Sequence, residues 1–169
     1  MRATLGIFEN CMQANHDHAR AFGERGQLDK HPAKHLVVLT CMDCRIQVEE
    51  ALGLKPGEAH IFRNAGGIVT DDVIRSLILS YRFFGTQEVF VINHTGCGLL
   101  GLYDDQLRKE LALETGTDTD GLEFYGFRDL ENNLKHQVQK IKESPFIPKD
   151  MVVRGLIYDV KTGRLQVVI

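Results

Sequence analysis

The sequence has no surplus of positive charge. Its 20 lysines and arginines face 23 aspartates and glutamates, for a net charge of −3. A chain without a basic field is not built to hold nucleic acid or an anionic membrane surface, so neither is expected as a partner. No stretch approaches the ~20 consecutive apolar residues that cross a bilayer. The opening MRATLGIFENCMQANHDH lacks the apolar core of a signal peptide. A cytoplasmic location is the expectation. Internal repeats, low-complexity segments and interdomain linkers are also missing. Cysteine is scarce, with Cys11, Cys41, Cys44 and Cys97 making up the whole set. In a cytosolic chain, clustered cysteines more often bind metal or do redox chemistry than form structural disulfides. Cys11 stands alone in a predicted helix and reads as an ordinary free thiol.

What is present suits one ordinary domain. At 169 residues, with 43% apolar and 25% charged residues, the mix is globular rather than disordered or fibrous. A domain of about 150 residues buries roughly 70% of its unfolded surface and needs no disulfide staples. We expect a single domain over 1–169, with 1–34 as an N-terminal helical arm.

Periodicity outlines the elements. Leu5 to Phe22 carries helical spacing, ended by Gly23 and Gly26. His35 to Thr40 (HLVVLT) is branched and apolar, as in a strand covered on both faces. Gln47 to Leu52 predicts a short helix closed by Gly53. Ala59 to Phe62 predicts a second strand, broken by RNAGG. Thr70 is placed as an N-cap, with Asp71 and Asp72 in the first turn of a helix stopping at Gly85. Glu88 to Asn93 (EVFVIN) predicts a third strand. Helices are expected over Leu99 to Glu114 and Phe127 to Glu143. VVRGLIYDV and RLQVVI flank KTG, a hairpin signal. Strands alternating with helices imply an α/β fold: a mostly parallel sheet flanked by helices, extended by an antiparallel C-terminal hairpin.

The first strand runs into CMDCR, Cys41 to Arg45, and the third into HTGCG, His94 to Gly98. Ligands of open α/β sheets collect at the carboxyl ends of strands, and neighbouring strands lie only about 4.8 Å apart. Cys41, His94 and Cys97 can therefore converge on one ion, and thiolate with imidazole suits zinc.

CMDCR, RNAGG (Arg63 to Gly67) and HTGCG together resemble the β-class carbonic anhydrase family. The likeness extends over most of the chain, including DDVIRSL (Asp71 to Leu77) and RGLIYDVKTGRL near the end. It is nearest to a short, prokaryotic-like subgroup with no long N-terminal extension. The resemblance implies Cys41, His94 and Cys97 as zinc ligands, one zinc per chain, and Asp43 with Arg45 as a catalytic dyad beside the metal. It implies a homodimer or larger homo-oligomer with each site near the subunit interface. The implied reaction is hydration of carbon dioxide to bicarbonate by zinc-bound hydroxide. Relatives in the same subgroup hydrolyse carbonyl sulfide or carbon disulfide, so either sulfur compound is the alternative substrate. Some members close the site by letting the aspartate of the dyad take the fourth zinc position.

Blander readings stand beside these. Cys41-Met42-Asp43-Cys44 is also a C-x-x-C, as in redox pairs, although such a pair has no use for His94 and Cys97. Cys41, Cys44, His94 and Cys97 together match a closed structural zinc site, which would leave Asp43 and Arg45 idle. Asp43 and Arg45 alone would be a surface ion pair worth under about 1 kcal/mol. Gly66 and Gly67 would let backbone approach the substrate, or form a simple tight turn. Phe83 and Phe84 are expected in an apolar wall near the site, partly from the other subunit. His16, His18, His31, His35, His60 and His136 have no second half elsewhere. A zinc-binding interaction protein without enzymatic activity is the remaining class.

Two thiolates formally cancel the charge of a zinc ion. A three-histidine site lowers the pKa of its bound water to about 7. A two-thiolate site starts weaker, so hydrogen bonding around the ligands has to help. Asp43 can accept a hydrogen bond from the attacking hydroxide, and Arg45 can hold Asp43 ionised.

Overall fold

The computed structural model describes residues 6–169. Two units are distinguished, one ending at Lys30 and one spanning His31–Ile169. The first contains helix α1 (Ile7–Arg20) and a 3-10 turn over Gly23–Gln27. The helix expected from Leu5 thus begins at Ile7 among the described residues, and Leu5 itself lies outside them.

The second unit is built on five strands: β1 (Leu36–Cys41), β2 (Ala59–Asn64), β3 (Glu88–His94), β4 (Val152–Tyr158) and β5 (Leu165–Val167). Their order across the sheet is β2-β1-β3-β4-β5. The first four run parallel, and β5 returns antiparallel against β4 as the hairpin signal predicts. The chain leaves β1 towards β2, then crosses back to place β3 on the other side of β1. That reversal lies at the carboxyl ends of β1 and β3, the place where ligands of such sheets bind.

The apolar run of β1 is buried at every position because both faces are covered. Val37 and Leu39 face one cluster with Val89, Val91 and Val153. This cluster is closed by Val73 and Leu77 of α3 (Asp71–Phe84) and by Leu134, Val138 and Ile141 of α5 (Leu130–Glu143). Leu36 and Val38 face the other cluster with Ile92 and Leu156, under Ile46, Phe127 and Val48 of the short helix α2 (Val48–Leu52). Helix α4 (Asp104–Thr115) has no fully buried residue, so the cover on this second face is thinner. Cys41 and Cys97 belong to this thinner side.

Local signals set the helix ends. Thr70 accepts the Val73 N–H, and Gly85 ends α3 in the left-handed region. Asp129 accepts the Asn132 N–H at the start of α5. Two expected starts are corrected. Residues from Leu99 do not begin a helix; Leu99 to Leu102 turn back to meet Phe127, with Phe127 N–H on Leu99 O and Gly101 N–H on Phe127 O. Helix α4 begins at Asp104, and α5 at Leu130 rather than Phe127. Leu99, Leu100 and Phe127 are spent on this crossing instead of on helix starts.

Candidate metal centre

Cys41 is the last residue of β1 and His94 the last of β3. Because the two strands are adjacent and parallel, both side chains emerge at one sheet edge. Cys97 follows three residues after His94. One donor atom from each of Cys41, His94 and Cys97 lies within 4.8 Å of the others, and all three residues are buried. Cys44 is exposed and outside this group. The strand end aims Cys41 inward and the turn that follows aims Cys44 out.

His94 Nδ1 lies 3.0 Å from the Thr95 carbonyl. A carbonyl only accepts, so Nδ1 carries the proton and Nε2 presents its lone pair to the cysteines. His94 Nε2 is also the one buried side-chain nitrogen or oxygen without a hydrogen-bond partner among the described residues. An orphaned, fully buried acceptor beside two buried thiols is costly unless a further group completes it. The donor set of two sulfurs and one imidazole would suit a zinc ion.

The Cys97 hydrogen bond is the main cause that pulls the Cys41 thiol down; burial opposes it, and His94 with the N–H groups of Asp43 and Gly66 assist. Cys97 is pushed up by the same contact and by burial. Burial pulls His94 down, but its contacts with Cys41 outweigh that and the net direction is up.

Asp43 and Arg45 lie on the turn after β1. Arg45 Nε donates to Asp43 Oδ1 (2.9 Å), Nη2 donates to Oδ2 (2.6 Å), and the Arg45 N–H also donates to Oδ1 (2.9 Å). These contacts hold the Asp43 carboxyl well below the usual carboxylate range. Arg45 Nη2 further donates to Gly96 O (3.1 Å), tying the dyad to the His94–Cys97 loop. Asp43 Oδ2 stands 3.9 Å from His94 Nε2. Its side chain is 16% exposed and that of Arg45 49%, so the pair borders the group and faces outward.

Gly66 and Gly67 are buried, with φ of +79° and +62°. They form a turn against the end of β1. A Cβ on Gly66 would lie 2.4 Å from Leu99 Cδ1; one on Gly67 would lie 3.1 Å from the backbone of Thr40 and Cys41. Only glycine allows this approach at these angles. The Gly66 N–H donates to Cys41 Sγ (3.3 Å).

Residues not singled out from sequence complete the surroundings. Arg63 Nε donates to Cys41 O (3.0 Å) and Nη2 to Asp43 O (2.7 Å), fixing the backbone on either side of Met42. Asn64 bridges Ile68 through both N–H and carbonyl, and Thr95 Oγ1 accepts the Val160 N–H. Arg63 and Asn64 stand inside the RNAGG motif, so the motif itself was the available signal. Phe84 is corrected: its ring meets His31 and His60, and the adjoining Gly85 O contacts His35. That is the amino end of the strands, the length of β1 away from Cys41, about 16 Å. Phe84 therefore does not wall the site of its own chain.

A family model described as carbonic anhydrase matches residues 36–165. The chain is 40% identical over 163 residues to beta-carbonic anhydrase 1 of Mycobacterium tuberculosis, covering 96% of this chain and 98% of that protein. It is 40% identical over 157 residues to the carbon disulfide hydrolase of Saccharolobus solfataricus, covering 79% of this chain and 76% of that protein. The carbonic anhydrase structure from Streptococcus mutans superimposes with a TM-score of 0.92 at 39% identity, over 98% of this chain and 99% of that one.

Proposed function

We infer that this chain, which belongs to the β-carbonic anhydrase family, hydrates carbon dioxide to bicarbonate at the group formed by Cys41, His94 and Cys97. The observation that carries the reading is the buried trio of donor atoms with an orphaned His94 Nε2, bordered by an Asp43 carboxylate held from behind by Arg45.

In this reading Cys41 Sγ, Cys97 Sγ and His94 Nε2 would hold zinc. Zinc, when bound, supplies a Lewis acid that brings the pKa of a coordinated water into a range where it can attack carbon. The protein does the rest. Asp43 stays ionised across the working pH range because Arg45 occupies both its oxygens, so it can accept but not donate. Oδ2 then takes the hydrogen bond of the attacking O–H and turns an oxygen lone pair towards the carbon of the substrate. Arg45 also donates to Gly96 O, which ties the carboxylate's orientation to the His94–Cys97 loop. Ile46, Ile92, Phe127 and Leu156 pack around the two cysteines and keep bulk water from the sulfurs. Gly66 and Gly67 are our candidates for the backbone surface beside the substrate, supported by their burial and side-chain-free turn.

A homodimer or larger assembly in the cytoplasm is part of the proposal. Leu79 and Phe83 of α3 are 39% and 63% exposed, and β2 leaves one sheet edge open. No helix among the described residues is long and apolar enough to cross a membrane.

The carbon disulfide hydrolase relative supports a second reading, in which the same site hydrolyses carbon disulfide or carbonyl sulfide. Both are linear and apolar, like carbon dioxide. The wider coverage of the mycobacterial carbonic anhydrase favours the first reading. The deciding experiment is zinc analysis of the purified protein with turnover of carbon dioxide, carbonyl sulfide and carbon disulfide measured side by side. Bicarbonate formation dominating supports hydration. Hydrogen sulfide release without carbon dioxide hydration overturns it in favour of the second reading.

A further inference from the structure

The position before His94 is occupied by Asn93, which is 1% exposed. An amide there needs partners for two donors and an acceptor. Its Nδ2 donates to Gly66 O (3.0 Å) and, more weakly, Gly67 O (3.4 Å). Its Oδ1 accepts from Asn133 Nδ2 (2.9 Å). Asn133 Oδ1 accepts from Gln137 Nε2 (2.9 Å), and Gln137 Oε1 accepts the Val69 N–H (2.9 Å). Asn133 and Gln137 stand four residues apart on α5 and so share one face.

This chain of amides has only one possible direction. At one end the Val69 N–H can only donate; at the other the glycine carbonyls can only accept. Between those ends every amide must point the same way, so none can flip without two like groups meeting. Both ends lie in the same short segment, Gly66 to Val69. That segment carries the N–H that reaches Cys41 Sγ. The network therefore grips the turn at its carbonyls and again at Val69, and leaves the Gly66 N–H facing the sulfur.

We propose that Asn93, Asn133 and Gln137 act as positioning residues, a one-way amide relay that holds the Gly66 N–H on Cys41 Sγ and thereby limits how much negative charge that sulfur gives a bound metal ion. The inference rests on the reading that Cys41 is a zinc ligand. It answers the charge problem of a two-thiolate site: a hydrogen bond to a ligand sulfur draws density away from the metal and preserves its Lewis acidity. Neither Asn133 nor Gln137 belongs to the donor group, and none of the three relay residues touches the Asp43–Arg45 pair through these bonds.

The test uses Asn133→Asp, which keeps the side-chain shape and removes the donor. Asn93 must then turn its own nitrogen towards the carboxylate and its oxygen towards the glycine carbonyls, releasing the turn. Asn133→Ala, at a half-buried helix position, removes the donor without reversing the relay and serves if the first variant does not fold. Two readouts are taken. Hydrogen exchange of the Gly66 amide in metal-free protein should speed by about 10-fold or more. In cobalt-substituted protein the thiolate-to-metal charge-transfer band should move to longer wavelength, and carbon dioxide hydration by the zinc form should fall by about 10-fold with metal still stoichiometric. A folded variant whose Gly66 exchange and charge-transfer band match wild type overturns the proposal. A wild-type protein that takes up neither zinc nor cobalt overturns the metal assignment and the charge effect with it, while Gly66 exchange still decides whether the relay holds the turn.

Discussion

Asp43 Oδ2 lies 3.9 Å from His94 Nε2, too far for a hydrogen bond and near enough to share one small ligand between them. The separation is maintained because Arg45 pulls the carboxylate back from the other side.

Replacing Asp43→Asn should leave zinc in place and lower carbon dioxide hydration by about 10–100-fold. The amide still fits beside Arg45 but loses half of the acceptor fork. Metal analysis and stopped-flow hydration assays on the same preparation check this. Unchanged activity would remove Asp43 from the mechanism.

Cys44→Ser should retain zinc, melting temperature and activity, because Cys44 is exposed and outside the donor group. Cys97→Ser and His94→Ala should each lose stoichiometric zinc. Zinc loss in the Cys44 variant would restore the closed structural-site reading.

The two glycines of the turn should respond differently to alanine. Both incur the strain of a positive φ, of order 1–3 kcal/mol. At Gly66 the added methyl meets the mobile end of Leu99, whereas at Gly67 it meets the backbone of Thr40 and Cys41. Gly67→Ala should therefore destabilise more. Adding Leu99→Ala should recover part of the loss for Gly66→Ala and none for Gly67→Ala, as read by thermal denaturation.

A pH dependence is expected away from the metal group. Asp104 accepts the N–H groups of Phe124, Tyr125 and Gly126 at 2.8–2.9 Å. Burial pushes its carboxyl up, but the three donors outweigh this and hold it below its ordinary value. A carboxyl lowered in the folded state adds stability above its unfolded pKa, about 3.9, and loses it as pH falls through the folded value. Asp104→Asn should cost on the order of 2 kcal/mol at neutral pH. The gap from wild type should close as pH drops below about 4. Melting curves at neutral and acid pH measure both, and a gap that is constant with pH would rule out the charge as its source. Tyr125, held at φ +60° by one of these bonds, should be the first residue of the loop to relax.

Much of the layout was legible because its signals are local. Thr70, Gly53 and Gly85 cap helices where their side-chain chemistry or backbone freedom requires, and HLVVLT reads as a doubly covered strand because nothing polar interrupts it. The starts of α4 and α5 were not legible. Leu99, Leu100 and Phe127 stand where apolar residues read as the first turns of the two helices, but they serve a contact between two turns distant in sequence. Within its own chain Phe84 lies at the other sheet edge for a related reason: an aromatic near the end of a helix does not announce which edge that end reaches.

Residue types and spacing alone determined that two strands end in soft metal donors and that an aspartate and an arginine follow the first, since each lies within a few residues of a recognisable strand. Only the tertiary structure decided that those strands lie side by side at the chain reversal, that Cys44 turns outward, and that Asn93 reaches α5. Those outcomes depend on strand pairing and on Asn93 meeting partners 27 and 40 residues away, and hydrogen-bond partners so far apart are selected by packing rather than by local sequence.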